Sequence, residues 1–117
     1  MNNWLTEDFY KNVFKGKNDF DNATAFLAQA KLKDASLKLS LIDSIENQIY
    51  ENDVLLTLCF IYDFIVECNT NNLSLDSYSI GSYSQSGGQN KMSVLWQQTR
   101  SIIHANLLKH GLLDNWV

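Results

Sequence analysis

The hydrophobic positions fall into blocks with different rhythms. The densest runs from Val54 to Val66 and reads Val-Leu-Leu-Thr-Leu-Cys-Phe-Ile-Tyr-Asp-Phe-Ile-Val. Its apolar side chains fall on every side of a helical wheel, the mark of a helix surrounded by other elements. The run is longer than the roughly 10 residues of a long strand. It predicts a central helix over 53–68, with Asn52 or Asp53 as cap and Asn69-Thr70-Asn71-Asn72 as the end.

Upstream, Leu5-Thr6-Glu7-Asp8-Phe9-Tyr10 predicts a helix start. Thr6 caps it, Glu7 and Asp8 suit the positive end of the helix dipole, and Leu5 staples onto Tyr10. Trp4, Phe9, Val13 and Phe14 supply an apolar side, and Gly16, just after Lys15, is the stop; the helix spans about 7–15. Asp21 or Asn22 opens a second helix, with Ala23, Phe26, Leu27 and Ala30 as its stripe and an end near Lys33. Asp34 caps a third, running to about Glu51 on Leu37, Leu41, Ile42, Ile45 and Ile49, although Leu37 to Leu41 also alternates like a strand.

Residues 73–88 differ in kind. Leu73 and Leu75, then Tyr78 and Ile80, alternate with polar residues in a background of serine and glycine. This predicts an extended arm or loose hairpin, with Gly87-Gly88 as a flexible joint. A last helix follows over about 89–109, its face formed by Met92, Leu95, Trp96, Thr99, Ile102, Ile103, Asn106 and Leu107. Lys109 and His110 suit its negative end, and Gly111 its cap. Residues 112–117 form a short tail carrying Trp116. The expectation is an all-α fold: one domain over 1–117, a bundle of four to five helices with an extended Ser/Gly-rich segment before the last.

Composition narrows the function. At 45% hydrophobic, 117 residues bury an ordinary core without metal or disulfide. The net charge of −4 and nine scattered basic residues argue against a nucleic-acid groove, which needs clustered Lys and Arg. Lys11, Lys15 and Lys17 are close enough to form a basic patch. Cys59 and Cys68 would lie about 13 Å apart on one helix, beyond bridging distance, and read as buried or partly buried thiols of a reducing compartment. The N-terminus has no basic-then-apolar pattern of a signal peptide, and the central run is too short to span a bilayer.

Catalytic signatures are weak. The glycines of 81–88 precede Lys91 at the wrong spacing for a phosphate loop. His104 and His110 are six apart, on different faces of a helix, where metal pairs prefer three or four. Asp63 and Glu67 share a face, but two carboxylates alone hold a metal weakly; a solvated edge or a lysine partner explains them better. The serines of 74–86 have no base beside them. The chain therefore reads as a non-enzyme. Tyr78, Tyr83 and Trp116 lie in segments with weak folding signals and are candidate interface anchors, or else pack back on the helices.

The segment Ser77-Tyr78-Ser79-Ile80-Gly81-Ser82-Tyr83-Ser84, placed between a helical body and a final helix, resembles the head-tail connector (adaptor, or head completion) proteins of tailed bacteriophages. In that family a segment of the type Ser-x-Ser-Ile/Val-Gly-x-x-Ser precedes the last helix; many members carry Asp where this chain has Ser82. The resemblance implies a virion neck protein, made in the host cytoplasm. It implies a ring, commonly a dodecamer, between the portal and the tail, with no cofactor and no catalysis. Leu75, Tyr78, Ile80, Gly81, Tyr83 and Trp116 are then the expected contacts, the arm pairing with a neighbour by strand addition. An acidic surface would let DNA pass without specific binding. Two alternatives stand beside it: a small acidic helical inhibitor or immunity-type protein with a single protein partner, and, ranked low, a helix-turn-helix DNA binder. The second lacks a basic recognition helix, since the last helix has only Lys91, Arg100 and Lys109.

Overall fold

The computed structural model describes residues 3–70 and 91–111. In chain order it contains a short wide-turn helix (Phe9–Val13), α1 (Asn22–Ala35), α2 (Leu37–Ser40), α3 (Glu51–Thr70), α4 (Lys91–Leu107) and a closing 3-10 turn (Leu108–His110). The fold is all-α, with no strand among the described residues.

α3 is the axis, and α1 and α4 both pack on it. Val54, Thr57, Leu58, Cys59, Ile61, Tyr62, Phe64, Ile65 and Cys68 are buried along its length. Those positions cover more than half of the helix circumference, and Leu56, Phe60, Asp63 and Glu67 form a half-buried strip along the rest, so the burial is less complete than the all-round apolar pattern of Val54–Val66 predicts. Fully burying one such Leu, Ile or Phe contributes roughly 1.5–3 kcal/mol, so this one helix holds much of the core. Its start lies earlier than expected. Asn52 and Asp53 are inside the first turn rather than capping it; the Val54 N–H donates to the Tyr50 carbonyl at 2.9 Å. Asp53 instead faces the other end of the chain, where its Oδ2 lies 2.7 Å from His110 Nε2.

The second helix starts where expected: Asp21 caps α1, accepting from the Thr24 N–H at 3.0 Å. Its apolar stripe is the reverse of the expected one. Ala25, Ala28 and Leu32 are buried together with Gln29, whereas Phe26 (42% exposed) and Leu27 (46%) face outward with Ala23. Small alanines let one helix approach another closely, and the face that allows that approach wins over the bulkier one. Gln29 is held by a long-range bond, its Oε1 accepting from the Trp4 N–H at 2.7 Å.

Of the third expected helix only one turn forms. Ser36, not Asp34, is the cap, its Oγ accepting from the Leu39 N–H; α2 then ends after four residues, and 41–50 is a chain of turns. Asn47 takes a left-handed conformation (φ +67°), which no α-helix can contain. Along the supposed stripe from Leu41 onward, Ile45 is buried and Ile42 partly so, while Leu41 is 75% and Ile49 89% exposed. The final helix closes as expected, with Gly111 left-handed (φ +67°) and its N–H on the Leu108 carbonyl. Ile103 and Leu107 are buried and Thr99 nearly so, but Ile102 is turned toward solvent.

Candidate functional site

Residues 6–21 are fastened to α3 by hydroxyl groups. Thr6 caps the first turn, accepting from the Phe9 N–H at 3.2 Å. The Phe14 N–H then reaches back five residues to Phe9, Lys15 turns left-handed (φ +64°), and the Gly16 N–H closes on the Tyr10 carbonyl at 2.8 Å. The left-handed stop expected at Gly16 is thus made by Lys15. Gly16 is needed for a different reason: a Cβ there would sit 2.1 Å from Tyr10 Cζ. The apolar side expected of this helix also shifts, because Tyr10 is buried and Val13 is 56% exposed.

Tyr10 is the centre of this corner. Its hydroxyl donates to Asp63 Oδ1 at 2.6 Å and accepts from the Asn18 N–H, while Asn18 Nδ2 donates to the same carboxylate oxygen at 3.0 Å. Burial, together with the Asp63 carboxylate, pushes the Tyr10 hydroxyl up to about 12. Tyr62 acts in parallel: its hydroxyl donates to the Asp19 carbonyl and accepts from the Asp21 N–H, each at 2.7 Å. Burial raises it too. The Tyr62 ring stacks on Phe20 with an interplanar angle of 1°, and Phe14 meets Phe60 edge-on. Asp63, read from sequence as a solvated edge or a lysine partner, is a structural acceptor for Tyr10 and Asn18.

Beside this corner, α3 and α4 enclose a groove of about 280 Å³ lined by Lys17, Phe60, Asp63, Glu67, Thr99 and Ile102 among others. A second groove, about 360 Å³, lies at the other end of α3. Trp4, Ile45 and Leu55 line it with Asp43, Glu46 and Glu51. Trp4 braces it: its Nε1–H donates to the Asp43 carbonyl at 3.0 Å, and the Lys33 ammonium sits 4.7 Å from its ring centroid. The Asn47 N–H donates to Glu51 Oε1, which ties the left-handed turn to the first turn of α3.

The chemistry available in the described part is limited. Cys59 and Cys68 are free and buried, as expected. Burial pushes the Cys59 thiol up to about 12 and raises Cys68, so both stay protonated and poorly nucleophilic at neutral pH. His104 is buried in α4, whereas His110 pairs with Asp53 and meets the Tyr50 ring edge-on. Among the described residues, no three His, Cys, Asp or Glu side chains are grouped to hold a metal, and no helix is long and apolar enough to cross a membrane.

The expected contact residues Leu75, Tyr78, Ile80, Gly81, Tyr83 and Trp116 lie outside the described residues, as do the arm 73–88 and the tail 112–117. The features that sequence reasoning missed are the hydroxyl anchors at Tyr10 and Tyr62 and the groove at 41–51. The only advance signal for the second was Asp43, Glu46 and Glu51 falling within eleven positions without a basic residue. Comparison with protein-family models, curated proteins and solved structures gives no match to this chain.

Proposed function

We propose that the chain is a structural subunit of a phage neck, a head-tail connector that forms a ring between portal and tail. The observation that carries this reading is the order of elements. A body built on α3 comes first, then the Ser77–Ser84 motif, then α4 as the last long helix. In this reading α1, α3 and α4 are the rigid part, and Leu75, Tyr78, Ile80, Gly81, Tyr83 and Trp116 reach neighbouring subunits or the adjacent ring. The outward Phe26 and Leu27 of α1 are apolar surface available to a neighbouring subunit. A net charge of −4 suits a channel that DNA passes without adhering.

The test is solution mass by light scattering, with negative-stain microscopy of the same sample, alone and with purified portal particles. Rings, free or seated on the portal, are the expected result. A monodisperse monomer that ignores portals would overturn the reading and bring forward the acidic inhibitor with one protein partner.

A further inference from the structure

Two surfaces at different levels along α3, one at its start and one near its middle, carry opposite charge. At the start of α3, Asp43 and Glu46 are exposed and Glu51 half-buried around the second groove, with Ile49 standing out beside them. Over residues 41–51 there are three carboxylates and no basic side chain. Further along α3, residues 11–17 carry three lysines and no acid. Lys11 is occupied, donating to the Asn18 carbonyl, while Lys15 and Lys17 are exposed, with Val13 standing out between them and Asn12. Each surface thus carries a local excess of one charge beside one bare aliphatic side chain, with Lys33 bordering the first through Trp4 and Asp63 and Glu67 lining the groove beside Lys17 in the second.

The two cannot meet within one molecule. Glu51 belongs to the acidic groove and Asp63 to the lysine corner. Twelve helical residues at 1.5 Å each separate them by about 18 Å. Complementary patches at different places on one chain make a head-to-tail contact, the type that generates rings when the rotation closes. We propose that the Lys15–Lys17 corner of one copy docks in the Asp43/Glu46/Glu51 groove of the next. The groove fits a lysine: Trp4, Ile45 and Leu55 line the methylene stem, and the carboxylates meet the ammonium. The occupant is a second copy of this chain because the chain itself supplies the matching charge. The inference deepens the connector reading, and rests on it only for the closure of the contact into a ring.

The experiment is carbodiimide cross-linking of an equal mixture of ¹⁵N-labelled and unlabelled full-length chain at high concentration, read by mass spectrometry of the linked peptides. Mixed-isotope links joining Lys15 or Lys17 to Asp43, Glu46 or Glu51 are expected. Lys15→Glu with Lys17→Glu, or Asp43→Lys with Glu46→Lys, each lowers dimer yield at least tenfold while circular dichroism stays unchanged, and mixing the two variants restores it. Absence of those links in the wild type, or dimer yields in both variants equal to that of the wild type, overturns the contact. Closed rings linked elsewhere would sink this contact and spare the connector. Head-to-tail pairs growing into open chains would keep the contact and sink the connector.

Discussion

Two irregular stretches approach α3, and they solve the same problem differently. Residues 14–21 and 41–50 each contain a non-glycine residue in the left-handed region, Lys15 just after the first short helix and Asn47 four residues before α3. In the first, the aromatic side chains turn inward and two tyrosines hold the backbone: Tyr10 bonds Asn18, and Tyr62 bonds Asp19 and Asp21. In the second, only Ile45 is buried, Trp4 grips one carbonyl, and Leu41 and Ile49 stay outside. Irregular backbone becomes part of a core when side chains of the neighbouring helix supply its hydrogen bonds. Where that helix supplies a single such bond, from the Asn47 N–H to Glu51, the backbone stays at the surface and leaves apolar residues for something else to cover.

The contrast can be broken from its rigid side first. Gly16→Ala drives a methyl group into the Tyr10 ring, and the expected loss is about 3 kcal/mol. A thermal melt followed by circular dichroism should drop by more than about 10 °C. On the looser side, Ile45→Ala should cost about 2 kcal/mol by urea unfolding, near the low end for a core truncation because the surrounding turns can relax. A cost equal to that of Gly16→Ala would mean that 41–50 is as firmly held as 14–21.

Tyr10→Phe should cost about 1 kcal/mol at pH 8, since it leaves Asp63 and Asn18 short of a partner. It should also change the alkaline limb. The folded chain holds the Tyr10 proton to about 12 while the unfolded chain releases it near 10.0, so stability is full below pH 10 and falls between 10 and 12. Tyr62 and Cys59 act in the same direction. Urea midpoints at pH 8 and pH 11 should differ less in Tyr10→Phe than in the wild type. The smallest effect belongs to Ile49→Ser, which should move stability by less than about 0.5 kcal/mol because the side chain is already in water. Its readout is self-association, where it should weaken what the charge reversals abolish.

How far the sequence revealed this structure depends on the kind of signal. The α3 run, the Asp21 cap, the Thr6 cap and the Gly111 stop were legible because each is local: a side chain acts on backbone a few residues away. Periodicity misled where two faces of one segment were apolar. On α1 the large residues Phe26 and Leu27 looked like the core face, but Ala25 and Ala28 take that place because they permit close approach. Leu41, Ile45 and Ile49 repeat at four like a helix, yet nothing in their spacing announces the left-handed Asn47 between them. The candidate surfaces were half visible: the charges could be counted, but which of them share a face is decided by turns that bring Trp4 to Asp43 and Tyr10 to Asp63. The arm that carries the family resemblance lies outside the described residues.

The tyrosine anchors set a timetable. The bonds that Tyr10 and Asn18 make to Asp63, and that Tyr62 makes to Asp19 and Asp21, span 41 to 53 positions of sequence. During translation at roughly 5–20 residues per second, the first segment waits about 2–10 s for its partners to be made. Through that interval Phe9, Tyr10, Phe14 and Phe20 have no α3 to pack on, so this stretch of the nascent chain stays open to chaperones or to a neighbouring nascent copy.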